Sequence, residues 1–329
     1  MKINFEFELI ELPLKYEWKL SRNTSVYKKN GFVRARFLQF EALGEAAPNI
    51  RYLETPERLQ LEFNQLQYGL QMDFDDKNWA LFLKDSGVCA ALKMALDMAY
   101  QNLKAQIAGV TLSQHLGLET IISTNICYTI PVMQPELIST FIEREKLHRF
   151  SWLKIKVNKE LALPIVNQVL KHFPGQIAID GNEAWTDRNS ILEFTQRLSI
   201  DRIMFLEQPL PASLRADYEW LYDKSAIEIW GDESVLDQAE PEYWLKAFKG
   251  INIKLMKAGT LSNAIYLLTE AKRIGLKTMV GCMVETSVGI SAALSLGALA
   301  DFMDLDGFLV LENEPFQLVY EKGGKVFFS

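Results

Sequence analysis

The sequence predicts an α/β protein: a smaller α+β unit followed by a closed barrel of repeated strand-helix units. Eight short apolar runs follow one another from about residue 121, separated mostly by stretches compatible with helix. They fit a barrel better than an open nucleotide-binding sheet. Charged residues end successive runs, and from Lys156 through Asp180, Glu207 and Asp232 to Lys254 the intervals are 24, 27, 25 and 22 residues. That spacing suits units whose strand ends meet around one pocket. Residues 1–118 lack this rhythm and are expected to form the α+β unit.

In chain order, segments 2–11 and 31–41 have strand character and are joined by a polar loop containing Ser21, Arg22, Asn23, Thr24 and Ser25. Pro56 opens a predicted helix. The stretch KDSGVCAALKMALDMAYQNLKAQIAG then carries apolar stripes suited to helices around a core. The runs ISTNICYTI, FSWLKIKV, GQIAID, DRIMFLEQ, AIEIWGDE, GINIKLMK, LKTMVGCM and DFMDLDG are the expected barrel strands. The tail LVYEKGGKVFFS reads as strand, turn, strand, and is expected to return to the first unit.

Composition narrows the function classes. At 49% hydrophobic and 23% charged residues the chain is expected to fold, which removes disorder as a reading. A formal charge of −7 argues against nucleic acid or an anionic membrane as partner. Cys89, Cys127 and Cys282 show neither metal-ligand spacing nor a disulfide framework, so a reduced, cytoplasmic setting is expected. The alternating start reads as strand and not as a signal peptide, and no run of about 18 uncharged apolar residues supports a membrane span. GxGxxG and GxxxxGK[ST] phosphate motifs are absent. His115, His148 and His172 do not close a strand run, which disfavours histidine catalysis.

Asp180, Glu207 and Asp232 close GQIAID, MFLE and AIEIWGD. Any one alone is most simply a solvated strand-end carboxylate. Three on successive units point to a hard divalent metal, Mg²⁺ before Zn²⁺, because all the donors are oxygen. In KIKV, alternation puts Lys154 and Lys156 on one strand face. Two ammonium groups in one pocket are expected to lower each other's pKa and make one amine a general base. Lys254 belongs to a strand on the far side of the carboxylate series; Lys257, three residues on, is the competing choice, and Lys254 is preferred because it closes the apolar run. Two amines flanking a metal-bound carboxylate suit removal of an α-proton from one face and redelivery to the other through an enediolate, with inversion and without a redox cofactor.

On these residues the chain resembles the enolase superfamily, specifically its muconate-lactonizing-like branch and the dipeptide epimerases within it. The resemblance runs through GEAAP, KIK at 154–156, IDGNEAW, LEQPL, GDES, NIKLMKAG and GCMVETSVG, essentially the whole chain. It implies a modified TIM barrel, (β/α)7β, over 119–311. An α+β capping domain over 1–118, completed by 312–329, would cover it. It further implies Asp180, Glu207 and Asp232 as Mg²⁺ ligands, Lys156 and Lys254 as the acid/base pair, and Lys154 as the group that tunes Lys156. The chain departs from the usual GG after the second lysine, having Ala258-Gly259-Thr260 instead.

Substrate choice turns on Asp304-Leu305-Asp306-Gly307. Read alone it is an acidic turn; by resemblance it is the DxD pair that receives a dipeptide's α-ammonium, for which opposed carboxylates are well suited. By resemblance Thr129, Cys282 and Met283 line the pocket, and Arg22 is available for an acidic second side chain. The expected reaction is epimerisation of an L-Ala-D/L-Glu dipeptide, linked by resemblance to cell-wall peptide recycling. A hydrophobic-dipeptide epimerase is nearly as good a reading. An o-succinylbenzoate synthase or a cycloisomerase would use the same lysines and metal but needs no ammonium clamp. A non-catalytic binding protein would not need the lysine pair. Homo-oligomerisation is compatible with such a barrel, and no surface patch singles out an interface.

Overall fold

The computed structural model describes residues 2–19, 24–67, 69–71, 73 and 75–329, and of Lys19 and Gln71 the backbone alone. Ser21, Arg22 and Asn23 lie outside the described residues.

The first unit is an antiparallel sheet of β1 (Asn4–Lys19), β2 (Thr24–Phe37) and β3 (Phe40–Ala46), in the order β1-β2-β3. Three helices follow: α1 (Pro56–Leu66), α2 (Asp76–Asp85) and α3 (Ala90–Ala108). The Thr55 side chain accepts from Arg58 N and Pro56 occupies the first turn, so α1 starts where the sequence predicts. Helix α3 lies directly on β3. A Cβ at Gly44 would stand 1.9 Å from Ala95 O, so only glycine permits this approach. The expected strand at 31–41 is two strands in the structure. It contains the two-residue turn between β2 and β3, in which Leu38 takes φ +53°, a conformation that leucine does not advertise.

After α4 (Leu112–His115) and β4 (Ser123–Asn125) the barrel begins. Its strands are β5 (Tyr128–Ile130), β6 (Trp152–Lys156), β7 (Gln176–Asp180), β8 (Ile203–Glu207), β9 (Ile229–Gly231), β10 (Gly250–Lys254), β11 (Lys277–Gly281) and β12 (Phe302–Asp304). They form one parallel sheet in sequence order. Between them run α5 (Ile138–Arg144), α6 (Ala162–His172), α7 (Arg188–Gln196), α8 (Arg215–Leu221), α9 (Pro241–Ala247), the short α10 (Leu255–Ala258) with α11 (Leu261–Arg273), and α12 (Ser287–Leu294). Seven helical crossovers joining eight strands make the (β/α)7β barrel. The sheet nearly closes on itself: Cys127 N, just before β5, donates to Met303 O of β12 at 3.4 Å.

Residues pointing inward at the lower end, Trp152, Ala178, Phe205, Trp230 and Met279, plug the barrel, with Phe205 and Trp230 stacked at 4.1 Å. The open end is therefore the one at which the strands finish. The cap is tied to that end: Leu14 pairs with Leu311, Glu312 N donates to Pro13 O at 2.9 Å, and Phe32 packs on Phe316. The tail forms a hairpin, β13 (Val319–Lys322) and β14 (Lys325–Phe328), whose second strand pairs with β4. The run ISTNICYTI is thus divided, its first part joining the tail hairpin and its second part the barrel. Among the described residues no helix is long and apolar enough to cross a membrane.

Candidate active site

Register brings the charged ladder to one level. Lys156 stands opposite Asp180 and Asp180 opposite Glu207; across the barrel Lys254 stands opposite Gly281 and Gly281 opposite Asp304. Strand β9 ends one residue short of Asp232, which joins the ring from the loop. The period of two turns Lys154 and Lys156 to the same interior side, and both reach Asp180 Oδ2, at 3.1 and 2.7 Å. Asp180, Glu207, Asp232, Lys154, Lys156, Lys254, Asp304 and Asp306 are all buried.

The pairing inside this ring is specific. Lys154 Nζ also lies 2.8 Å from Glu207 Oε2 and 2.8 Å from Asp304 Oδ2. Lys156 Nζ also donates to Asn182 Oδ1 at 2.9 Å. Lys254 Nζ donates to Asp232 Oδ2 at 2.8 Å, while Lys257 Nζ takes Asp232 Oδ1 at 2.6 Å and Asp232 O at 2.5 Å. Asn252 Nδ2 holds Glu207 Oε1 at 2.9 Å. Each acid/base candidate therefore shares its carboxylate with a second lysine: Lys156 with Lys154 on Asp180, Lys254 with Lys257 on Asp232. Lys257, a competing choice in the sequence, is a partner of Lys254 in the structure.

Electrostatics correct the expectation of a depressed Lys154. Burial acts to lower Lys154, yet Asp180, Asp304 and Glu207 outweigh it and hold its ammonium well above the usual lysine value. Lys254 is likewise raised, burial being overcome chiefly by Asp232. Lys257 is lowered, by burial. The reason is one of numbers: the carboxylates close to Lys154 outweigh the ammonium groups near it. Among the acids, burial pushes Glu207 up to about 7, whereas Asp180 and Asp232 lie below their usual range because their lysines outweigh burial.

Among the described residues no three or more His, Cys, Asp and Glu side chains are gathered into a ready-made metal cage. Asp180, Glu207 and Asp232 are each turned toward an ammonium group instead. Their chemistry nonetheless fits a hard cation: three buried carboxylates stand at the ends of neighbouring strands, and Glu207 Oε2, close to Lys154, lacks a hydrogen bond among the described residues.

The downstream acids divide. Asp304 is held from within the barrel by Lys154 and by the Cys127 thiol, 3.1 Å away. Asp306 Oδ2 accepts from Thr129 N at 2.5 Å. Burial and then Asp304 push Asp306 up to about 7, while Lys154 and Lys254 overcome burial and hold Asp304 low. Thr129, Cys282, Met283, Asp304 and Asp306 border a cavity of about 710 Å³ together with Lys156 and Lys254.

Several contributors carried no assignment in the sequence reading. Asn182 lies two residues after Asp180, a spacing visible in IDGNEAW. Arg51, from the loop after β3, forks onto Glu183 at 2.9 and 3.0 Å and so joins the cap to the loop following β7. Nothing local in the sequence pairs those two. Glu183 and Asn182 both take positive φ, +63° and +42°, and are held there by Glu183 N donating to Gln208 O at 2.8 Å.

A capped (β/α)7β barrel with lysines flanking a row of strand-end carboxylates defines an enolase-type barrel enzyme. The family profile described as "Enolase C-terminal domain-like" matches residues 138–314. The L-Ala-D/L-amino acid epimerase of Pedosphaera parvula is 32% identical over 87% of this chain and 84% of its own. The substrate-liganded L-Ala-D/L-Glu epimerase of Bacillus subtilis superposes with a TM-score of 0.91 at 25% identity, over 100% of this chain and 97% of that one. A dipeptide epimerase of Methylococcus capsulatus, complexed with Mg and L-Arg-D-Lys, gives 0.88 at 25% identity over 100% and 98%. The chain belongs to the enolase superfamily, in its muconate-lactonizing-like branch and the dipeptide epimerase family. It is an isomerase with chemistry of the dipeptide-epimerase type, and its family implies dependence on a divalent metal.

Proposed function

We propose that this enzyme inverts the second residue of a dipeptide at Cα by 1,1-proton transfer between Lys156 and Lys254, with Mg²⁺ held by Asp180, Glu207 and Asp232. The observation that carries this reading is the disposition of the two amines. They hang from β6 and β10, on either side of the three carboxylates, and both face the cavity. One amine removes the Cα proton and the other delivers a proton to the opposite face. Mg²⁺ would supply positive charge to offset the negative charge developing on the substrate's terminal carboxylate.

The shared carboxylates allow each amine to act. When Lys156 turns toward Cα, Lys154 still neutralises Asp180; when Lys254 turns, Lys257 still neutralises Asp232. Asp306, with Asp304 behind it, would receive the dipeptide's ammonium group. We take L-Ala-D/L-Glu as the leading substrate. A neutral, hydrophobic second residue is the competing reading, favoured by Val26, Tyr27 and Ile50, which line the cavity while remaining 61%, 51% and 69% exposed.

Incubating Ala-Glu, Ala-Leu and Ala-Phe with the Mg²⁺-loaded enzyme in D₂O tests the reaction. The expected result is deuterium at the second Cα together with inversion. Retained protium across a broad dipeptide set would reject the mechanism, and turnover of the neutral dipeptides alone would favour the competing substrate.

A further inference from the structure

Lys154, Lys156 and Lys254 line the cavity, and each has a carboxylate within 2.8 Å. Lys28 lines the same cavity and has none. Among the described residues its hydrogen bond runs to Ser25 Oγ at 3.1 Å, and no acid stands within ion-pair distance.

Its direction follows from the cap sheet. Alternation along β2 puts Lys28 on the side of Asn30, whose amide donates to Val284 O of the barrel at 3.0 Å. Lys28 therefore leaves the sheet toward the wall formed by Met283 and Val284, both at the cavity edge. The acids that share this cavity are engaged elsewhere: Glu54 with Ala91 N and Asn49 N, Asp232 with Lys254 and Lys257, Glu233 with Asn182 Nδ2, Asp304 with Lys154, Asp306 with Thr129 N. Burial lowers the Lys28 pKa with no charged group opposing it. An ammonium half removed from water without a counter-ion costs free energy that no acid among the described residues offsets.

We infer that Lys28 receives the side-chain carboxylate of the substrate's second residue, so that the preferred substrates are dipeptides ending in glutamate or aspartate. The inference rests on the epimerase reading, in which the substrate's ammonium goes to Asp306 and its terminal carboxylate to the metal. A side-chain anion is the one remaining charge, and of the two cavity-lining lysines without an acid among the described residues, Lys28 and Lys29, alternation along β2 turns Lys28 to the side of Asn30 and the barrel wall. Val26, Tyr27 and Ile50 at the same mouth would keep water from the contact and strengthen it.

The test is discrimination, read as the ratio of kcat/KM for Ala-Glu to that for Ala-Leu, in the intact Mg²⁺-loaded enzyme. Lys28→Met is expected to lower the ratio about tenfold or more, mainly through KM for Ala-Glu, the loss expected for one charge-assisted hydrogen bond. Lys28→Arg is expected to retain the preference, and Lys28→Glu to move it toward Ala-Lys. An unchanged ratio in Lys28→Met overturns the assignment, as does a wild type that epimerises Ala-Leu but not Ala-Glu; the second result leaves the epimerase reading standing. Calorimetric titration of Ala-Glu separates the two failures. Weaker binding to Lys28→Met supports the contact even if no dipeptide is turned over, and equal binding overturns it.

Discussion

Lys254 and Lys257 share one carboxylate: their Nζ atoms lie 2.8 and 2.6 Å from the two oxygens of Asp232. Lys257 also grips Asp232 O, so it fixes the residue's backbone as well as its charge. On the proposed mechanism Lys254 serves one face of Cα and Lys156 the other. Lys257→Met is then expected to slow deuterium exchange of one epimer by tenfold or more, on the order of a lost charged hydrogen bond, and to affect the other epimer less. Equal slowing of both epimers would make Lys257 a general support for the site and not a partner of Lys254.

Asp304 and Asp306 are expected to fail differently when neutralised. Asp304→Asn removes one of three carboxylates around Lys154, a buried contact, and is expected to lower stability by about 1–3 kcal/mol. Asp306→Asn keeps an oxygen for Thr129 N, so denaturant unfolding is expected to change little while KM for dipeptides rises. The pH profile separates them further. With its carboxyl pushed up to about 7, chiefly by burial, Asp306 is neutral below that pH and charged above it. Wild-type kcat/KM is therefore expected to fall as pH drops through 7, and Asp306→Asn to lose that limb. A limb retained in the variant would assign it to another group.

The parts legible in the sequence are those governed by local period. Alternation placed Lys154 and Lys156 on one face, and short apolar runs ending in charge located strands β6 to β8 and β10 with their terminal residues. What was not legible depends on contacts between residues far apart in the chain. Lys154 meets Asp304, 150 residues later, and Asp180, Asp304 and Glu207 together reverse the expected direction of its pKa. Ser123–Asn125 leaves its apolar run to pair with the tail hairpin, and no feature of that run announces a partner near the other end of the chain. The Arg51–Glu183 fork likewise exists only once the cap meets the barrel, and the left-handed backbone at Asn182 goes with a contact between the loops after β7 and β8.

Chelation should separate activity from folding. Asp180, Glu207 and Asp232 each have an ammonium group within 2.8 Å, so the barrel does not depend on a cation to neutralise them. With EDTA, turnover is expected to vanish and to return on adding Mg²⁺, while circular dichroism and Tm stay within a few degrees, a shift of about 1 kcal/mol or less. Collapse of the fold on chelation would show that these lysines do not carry the charge balance.

Stability, unlike turnover, is expected to track a second pair of acids at the join between cap and barrel. Glu45, from β3, accepts from Asn30 Nδ2, from Thr286 N and Oγ1 and from Gly289 N, and so binds the cap to the start of α12. Glu285 lies beside it, fully buried; its Oε1 accepts from Met283 N at 2.7 Å, and its Oε2 has no hydrogen bond among the described residues. Burial, and then the charge of Glu45, push Glu285 up to about 8 from an ordinary 4.5. Between those values the folded protein holds a proton that the unfolded chain has released. The stabilising contribution is therefore complete below 4.5 and is lost as pH rises toward 8, by a few kcal/mol in order of magnitude. Glu285→Gln keeps the neutral shape and an oxygen for Met283 N, and its amide adds a donor toward Glu45. Its Tm is expected to fall less than that of the wild type between pH 5 and 9, with the two curves furthest apart at the alkaline end. Parallel curves would show that Glu285 does not change its protonation on unfolding.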